Sequence, residues 1–122
     1  MPLAEKPIYI HEPTPLQCGQ AALAMLAGVP VDDVIEELEN ERETRLSEMR
    51  RFLDIHGIVF ASERTPVQKK DQLPDYALLS LETPRCWHWS ICVKGRFYDP
   101  EHGESDDFPE SNRRYYWKLE NR

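Results

Sequence analysis

The chain has 122 residues, of which 40% are hydrophobic and 30% are charged, and this composition predicts a soluble protein with one compact domain over residues 1–122. Its 22 Asp and Glu residues outnumber its 15 Lys and Arg residues, and the net charge of −7 argues against nucleic acid as a partner. Residues 1–10 are too polar for a signal peptide, and no run approaches the roughly 18 apolar residues of a membrane span. We therefore expect a cytoplasmic protein that does not associate with a membrane.

The three cysteines give no sign of a disulfide framework or a metal centre. Cys18, Cys86 and Cys92 cannot all pair within one chain, and their spacing matches no zinc-binding pattern. Free thiols are typical of a reducing compartment, which agrees with a cytoplasmic location. The sequence predicts neither a metal nor a cofactor and does not define an oligomeric state.

The first half of the chain is predicted to be helical after an extended start. Residues 1–16 contain four prolines and are expected to be extended, with a short strand at Ile8–Ile10. A helix is predicted over Cys18–Ala27, and since it is apolar nearly all round it should be buried centrally. Gly28 and Pro30 end this helix.

Two more helices are predicted before residue 57. The first begins at the Asp32-Asp33 pair and has an apolar stripe formed by Val34, Ile35 and Leu38. The second has Thr44 or Ser47 as its N-cap and ends at Gly57; its apolar residues recur at intervals of three or four.

The second half of the chain changes to a strand pattern. Residues 62–75 are polar and are predicted to form a loop, and Lys94-Gly95 is predicted to form a tight turn. The predicted strands are Ile58–Phe60, Tyr76–Leu81, 87–93, 96–99 and Tyr115–Leu119, the last closing the sheet. Helices followed by strands indicate an α+β fold, with N-terminal helices packed on an antiparallel sheet.

The predicted hairpin places a histidine beside a carboxylate. A two-residue turn pairs Cys92 with Phe97 and Ser90 with Asp99, so His88 and Asp99 share one face of the sheet. As diagonal neighbours their Cα atoms are about 7–8 Å apart, which their side chains can bridge with a hydrogen bond. Trp87, Trp89, Ile91 and Val93 then point to the other face.

A cysteine at the start of a helix is a plausible nucleophile. The N–H groups of the first turn and the helix dipole stabilise a thiolate at Cys18, and the same N–H groups can donate to an oxyanion. Each residue also has a structural interpretation: Cys18 as a small core residue, His88 bonded to backbone, and Asp99 starting a turn before Pro100. Together they form a candidate nucleophile, base and orienting group.

Four segments resemble the C39 and C39-like cysteine peptidases, which have a papain-like fold. Gln17–Gly28 is similar to the nucleophile helix of that family, and Thr44–Gly57 to a later helix ending in glycine. His88–Val93 is similar to the strand that carries the catalytic histidine, and Tyr98–Pro100 to its Asp-Pro. The resemblance covers most of residues 8–100 in the same order.

The resemblance implies a reaction and a role for each residue. Cys18 would be the nucleophile, His88 the base and Asp99 the orienting residue in hydrolysis of a peptide or isopeptide bond through a thioester. A peptide or protein substrate is implied. The family usually has a glutamine about six residues before the cysteine as an oxyanion donor, whereas this chain has Glu12, and Gln17 is a second candidate donor.

Two other functions agree with the same residues. One is a catalytically weak or inactive papain-like domain that binds a peptide or a partner protein, which the carboxylate of Glu12 favours. The other is a transglutaminase-like or amidase acyl transfer, since these reactions use the same three groups.

Overall fold

The computed structural model describes residues 3–122 as three helices followed by an antiparallel sheet. The helices are α1 Cys18–Ala27, α2 Val31–Leu38 and α3 Leu46–Ile55. The strands are β1 Ile58–Phe60, β2 Thr65–Pro66, β3 Tyr76–Glu82, β4 Trp87–Val93, β5 Arg96–Asp99, β6 Gly103–Ser105 and β7 Arg114–Asn121, with a 3₁₀ helix at Lys70–Gln72. The predicted α+β architecture is confirmed.

Helix α1 has the predicted bounds and is the centre of the molecule. Gly28 ends it in the left-handed conformation at φ 71°, and the Gly28 N–H donates to the carbonyl of Ala24. Every residue from Gly19 to Ala27 is buried, because the helix is apolar on all sides and packs against α2, α3 and β4.

The starts of the other two helices differ slightly from the prediction. Helix α2 begins at Val31 directly after Pro30, one residue before the predicted acidic start. Neither Thr44 nor Ser47 caps α3, so that prediction is wrong. Its cap residue is Arg45, whose N–H donates to the Glu48 carboxylate, while the buried Thr44 is part of the preceding loop.

The sheet has the order β1-β7-β3-β4-β5-β6, with β2 also paired to β7, and the neighbouring strands are antiparallel. Lys94 and Gly95 form the predicted two-residue turn, at φ 51° and 82°. The register Val93↔Arg96 and Cys92↔Phe97 is the predicted one. The hairpin that was expected to bring His88 and Asp99 together is therefore present.

Three details of the strands differ from the prediction. Residues Ile8–Ile10 form no strand, because the N-terminal segment contacts the sheet through side chains and isolated backbone bonds instead. The C-terminal strand β7 does not close the sheet but lies between β1 and β3. Strand β6 and the two-residue strand β2 were not predicted, since both are short and polar. Met1 and Pro2 of the predicted extended segment lie outside the described residues.

Two apolar clusters lie on opposite faces of the sheet. The larger contains α1 together with Ile91 and Val93 of β4, and the smaller contains Cys92 and Phe97. This division follows the alternation predicted for β4. Within residues 3–122 no single helix is long and apolar enough to cross a membrane; α1 and α2 pass that test only as a pair bent by 113°.

Candidate active site

The imidazole of His88 and the carboxylate of Asp99 form a buried pair between β4 and β5. His88 Nε2 and Asp99 Oδ1 are 2.8 Å apart, and the side chains are 3% and 1% exposed. Because Nε2–H of His88 donates to Asp99, the neutral ring has its lone pair on Nδ1. The contact with Asp99 therefore fixes the tautomer of the neutral His88 ring.

The backbone after β5 fixes Asp99. The N–H groups of Glu101 and His102 each donate to Asp99 Oδ1 at 2.9 Å, and the Tyr9 hydroxyl donates to the Asp99 carbonyl. These bonds use the turn that Pro100 begins, so the Asp-Pro dipeptide has a structural reason as well as a chemical one. The carboxylate cannot rotate without breaking several bonds at once.

The pair stabilises its own charged form. Burial alone lowers the pKa of His88, but hydrogen bonds to Asp99 and Cys18 outweigh burial and raise that pKa to about 10. Burial raises the pKa of Asp99, but the bonds from His88 and the backbone lower it to about 2. An imidazolium facing Cys18 is thus favoured, and an imidazolium stabilises a thiolate.

Cys18 is half-buried at the first position of α1, where the sequence placed it. Its Sγ, one ring nitrogen of His88 and one carboxylate oxygen of Glu12 all lie within 4.8 Å of one another. The helix start and the hairpin thus bring the three predicted groups of the site together, with Glu12 as a fourth.

Glu12 is held close to the nucleophile by the N-terminal segment. Its N–H donates to the carbonyl of Pro100 at 2.8 Å, its residue is 6% exposed, and its Oε1 has no hydrogen-bond partner among residues 3–122. Burial raises the pKa of this carboxyl, and His88 lowers it by a smaller amount. A neutral Glu12 can donate a hydrogen bond, whereas an ionised one would repel an oxyanion.

The predicted donor Gln17 is bonded to the loop between α2 and α3. Gln17 Nε2 donates to the Glu41 carbonyl at 3.0 Å, so one of its amide hydrogens is committed there. Gln20 Nε2 holds the same loop through the carbonyls of Asn40 and Arg42, at 2.9 and 2.7 Å. A role for Gln17 as an oxyanion donor stays a prediction; its visible contact is structural.

Gly19 allows the helix to approach this loop closely. A β-carbon at position 19 would lie 2.5 Å from Thr44 Oγ1 and 3.2 Å from Trp89 Cδ1, and Trp89 Nε1 donates to the Thr44 carbonyl at 3.2 Å. Glycine at position 19 therefore leaves room for the Thr44 side chain.

His102 is a contact of the site that the sequence did not indicate. Its Nδ1 lies 2.9 Å from Asp99 Oδ1, its ring is edge-on to His88 with centroids 5.8 Å apart, and its side chain is 44% exposed. His102 follows Asp99 by three residues, and in a tight turn residues three apart lie next to each other. This spacing was the sequence signal that could have revealed the contact.

The remaining cysteines lie outside the site. Cys86 is exposed, and Cys92 is buried in the smaller apolar cluster, where burial raises its pKa to about 11. Neither is placed to act as the nucleophile that Cys18 could be.

The fold matches that of a solved peptidase domain. The match is to a double-glycine motif protease from an AMS/PCAT transporter, solved in complex with its leader peptide, with a TM-score of 0.69 and 15% sequence identity. It covers 97% of this chain and 94% of the other. No family model and no curated protein matches the sequence. The fold predicted from the resemblance to C39 peptidases is thereby confirmed, while the low identity says nothing further about activity.

Proposed function

We propose that the protein is a cysteine peptidase that cleaves a peptide or isopeptide bond with Cys18, His88 and Asp99. The observation that carries the proposal is the buried His88–Asp99 pair facing a thiol at a helix N-terminus. A structural histidine needs one partner, whereas this one has a carboxylate on one side and a thiol on the other. That arrangement is what nucleophilic catalysis by a thiol requires.

The chemistry follows from the positions of the protons. His88 takes the thiol proton of Cys18, and the thiolate attacks the carbonyl carbon of the scissile bond. The imidazolium then gives its proton to the departing amine, which leaves a thioester on Cys18. His88 next takes a proton from water, the hydroxide attacks the thioester, and the proton returns to the thiol as the acid is released. Asp99 keeps Nδ1 of His88 directed at sulfur throughout.

Two surface grooves support a peptide as the substrate. One, of about 590 Å³, is lined by His102 and Glu101 among other residues, and it adjoins Asp99 through His102. The other, of about 600 Å³, is lined by Trp89 and Trp117 among other residues, and Trp89 lies against Gly19. The structural relative was solved with a leader peptide, so a double-glycine peptide is the first substrate to test.

Cleavage can be tested with a peptide mixture that includes a double-glycine leader peptide. The protein is incubated with the mixture in a thiol reductant and EDTA, and the products are identified by mass spectrometry. We expect new termini with the wild-type protein and with Cys86→Ser, and none with Cys18→Ser. Products that form equally with Cys18→Ser would refute the assignment of the nucleophile.

Alkylation gives a test that needs no substrate. With iodoacetamide near pH 6, Cys18 should react faster than the exposed Cys86, since only Cys18 faces an imidazolium. If Cys18 reacts no faster than Cys86 and no peptide is cleaved, the enzyme hypothesis fails. A domain that binds a peptide without cutting it is then the better description, and the carboxylate of Glu12 would explain why.

A further inference from the structure

The unpartnered oxygen of Glu12 points to a second property of the same site. A buried carboxylate oxygen without a hydrogen bond is destabilising, because it has lost its contact with water and gained no partner in the protein. Glu12 Oε1 is such an atom among the described residues, and its carboxylate lies within 4.8 Å of both Cys18 Sγ and a His88 nitrogen. One thiol, one imidazole and one carboxylate are therefore close enough together to share one ligand.

This donor set is one that zinc accepts. Zn²⁺ binds sulfur, nitrogen and oxygen at about 2.0–2.3 Å in a tetrahedral arrangement, which separates ligand atoms by about 3.3–3.8 Å. The three atoms lie within 4.8 Å of one another, so each separation has to shorten by at most about 1.5 Å for an ion to fit. Three protein ligands leave the fourth position to water. A mixed thiolate and imidazole set favours Zn²⁺ over Mg²⁺ or Ca²⁺.

The surroundings already orient the nitrogen ligand. In zinc sites a ligating histidine usually donates its other N–H to a carboxylate, which fixes the ring and makes it a better ligand. His88 has this contact, since Nε2 and Asp99 Oδ1 are 2.8 Å apart and Asp99 is itself held by two backbone N–H groups. The nitrogen that remains is the one that serves Cys18.

A neighbouring cluster of His88, Asp99 and His102 does not carry the same inference. Its ligand atoms are also within 4.8 Å of one another, and Asp99 Oδ2 has no partner among residues 3–122. However, His88 Nε2 and His102 Nδ1 are both already bonded to Asp99 Oδ1, at 2.8 and 2.9 Å. An ion there would have to displace these bonds. The Glu12 cluster has, besides its unused buried oxygen, the thiol of Cys18 as a ligand.

We propose that Glu12, Cys18 and His88 form a Zn²⁺-binding site, and that the bound ion blocks the nucleophile reversibly. On binding, the proton shared by Cys18 and His88 passes to solvent, together with that of Glu12 when its carboxyl is protonated. The thiolate, the imidazole and the carboxylate bind the ion, and no electron is transferred. The metal site stands on geometry alone. Its inhibitory effect rests on the proposed peptidase function.

Cobalt provides a direct readout of thiolate binding. The full chain, reduced and freed of metal with a chelator that is then removed, is titrated with Co²⁺ while the near-ultraviolet thiolate-to-cobalt absorption is followed. We expect the band to appear with one equivalent of Co²⁺ and to vanish when Zn²⁺ displaces it. Glu12→Gln should weaken Co²⁺ binding by about 10-fold or more, and Asp99→Asn by about 10- to 100-fold. Cys18→Ser should lose the band, whereas Cys86→Ser should keep it.

A second measurement uses the wild-type protein alone, so that it does not depend on a variant that folds. Zn²⁺ should slow the alkylation of Cys18 by iodoacetamide and leave the alkylation of Cys86 unchanged. The proposal is overturned if the band is absent in the wild-type protein, if it survives in Cys18→Ser, or if Glu12→Gln binds Co²⁺ as tightly as the wild type.

The outcomes separate the two proposals. Cobalt binding is measured without a substrate, and peptide cleavage is measured in EDTA. A protein that cleaves peptides but binds no cobalt refutes the metal site only. A protein that binds cobalt but cleaves nothing refutes the peptidase only.

Discussion

On the sheet side of the candidate site, Asp99 Oδ1 accepts bonds from His88 and from two backbone N–H groups. On the helix side, the buried oxygens Oε1 of Glu12 and Oε1 of Gln17 have no partner within residues 3–122. His88 is therefore held by the fold through Asp99 Oδ1, although Asp99 Oδ2 also has no partner within residues 3–122. The surroundings of Cys18 have fewer such bonds and keep more unused polar atoms. The sheet side is thus largely preorganised, and most of the bonds that a ligand, a metal or a substrate can still add lie on the helix side.

The largest effect on peptide cleavage is expected for His88, where the sheet side and the helix side of the site meet. His88→Ala should lower peptide cleavage by about 100- to 10,000-fold, because the variant has no group to take or return a proton. The same variant should slow alkylation of Cys18 near pH 6. His102→Ala is the matched control, since it removes the other imidazole beside Asp99. Equal losses in both variants would contradict the role of His88 as the base.

On the helix side, a single substitution at Glu12 should raise the rate of peptide cleavage. Glu12→Gln replaces a carboxylate by an amide of the same size that donates a hydrogen bond, and one oxyanion donor is worth about 100- to 1,000-fold in rate. We expect kcat for peptide cleavage in EDTA to rise by about 10-fold or more, with little change in KM. Glu12→Ala, which adds no donor, should not reproduce the increase. A lower kcat in Glu12→Gln would show that the carboxyl itself is needed.

The sheet side should be visible in the pH dependence of stability. The pKa of Asp99 is lowered from 3.8 to about 2, so its contribution is present above pH 3.8 and is lost as the pH falls through 2. The pKa of His88 is raised from 6.5 to about 10, so its contribution is present below pH 6.5 and is lost as the pH rises through 10.

The free energy of unfolding of Asp99→Asn in urea should therefore be lower than that of the wild type by about 1.5–3 kcal/mol near pH 5. The difference should shrink towards pH 10, where His88 loses its proton in the wild-type protein as well. A difference that is constant from pH 5 to pH 10 would show that the pair is not charged.

The smallest effect on peptide cleavage is expected for the partly exposed His102 beside the His88–Asp99 pair. His102 is 44% exposed, and exposed ion pairs contribute about 0–1 kcal/mol. His102→Ala should therefore change kcat/KM by no more than about fivefold. A loss of 100-fold or more would show that the His102 side chain, and not only its backbone N–H, holds Asp99 in place.

Much of the candidate site could be predicted, because the positions of His88, Asp99 and Cys18 depend on short segments of the sequence. The Lys94-Gly95 turn sets the register of two adjacent strands, and that register alone brings His88 towards Asp99. The helix start at Cys18 likewise follows from a local apolar run that Gly28 ends. Both features involve residues close together in sequence.

The features that could not be predicted involve distant segments. The sequence does not reveal that Glu12 bonds to Pro100, or that β7 inserts between β1 and β3, since neither pairing leaves a periodic pattern. The hydrogen bond from Gln17 to the carbonyl of Glu41 is of the same kind. The polar atoms around the nucleophile thus depend on tertiary contacts, whereas the base depends on a hairpin.

The contact of Gly19 with Thr44 and Trp89 has a consequence for how such a sequence can diverge. Any side chain at position 19 must displace Thr44, whose Cβ would lie 2.6 Å from the new Cβ and whose carbonyl accepts the Trp89 indole bond. These three positions belong to a helix, a loop and a strand. Evolutionary change at one should be accompanied by change at the others, and a relative with alanine at position 19 should have glycine at position 44.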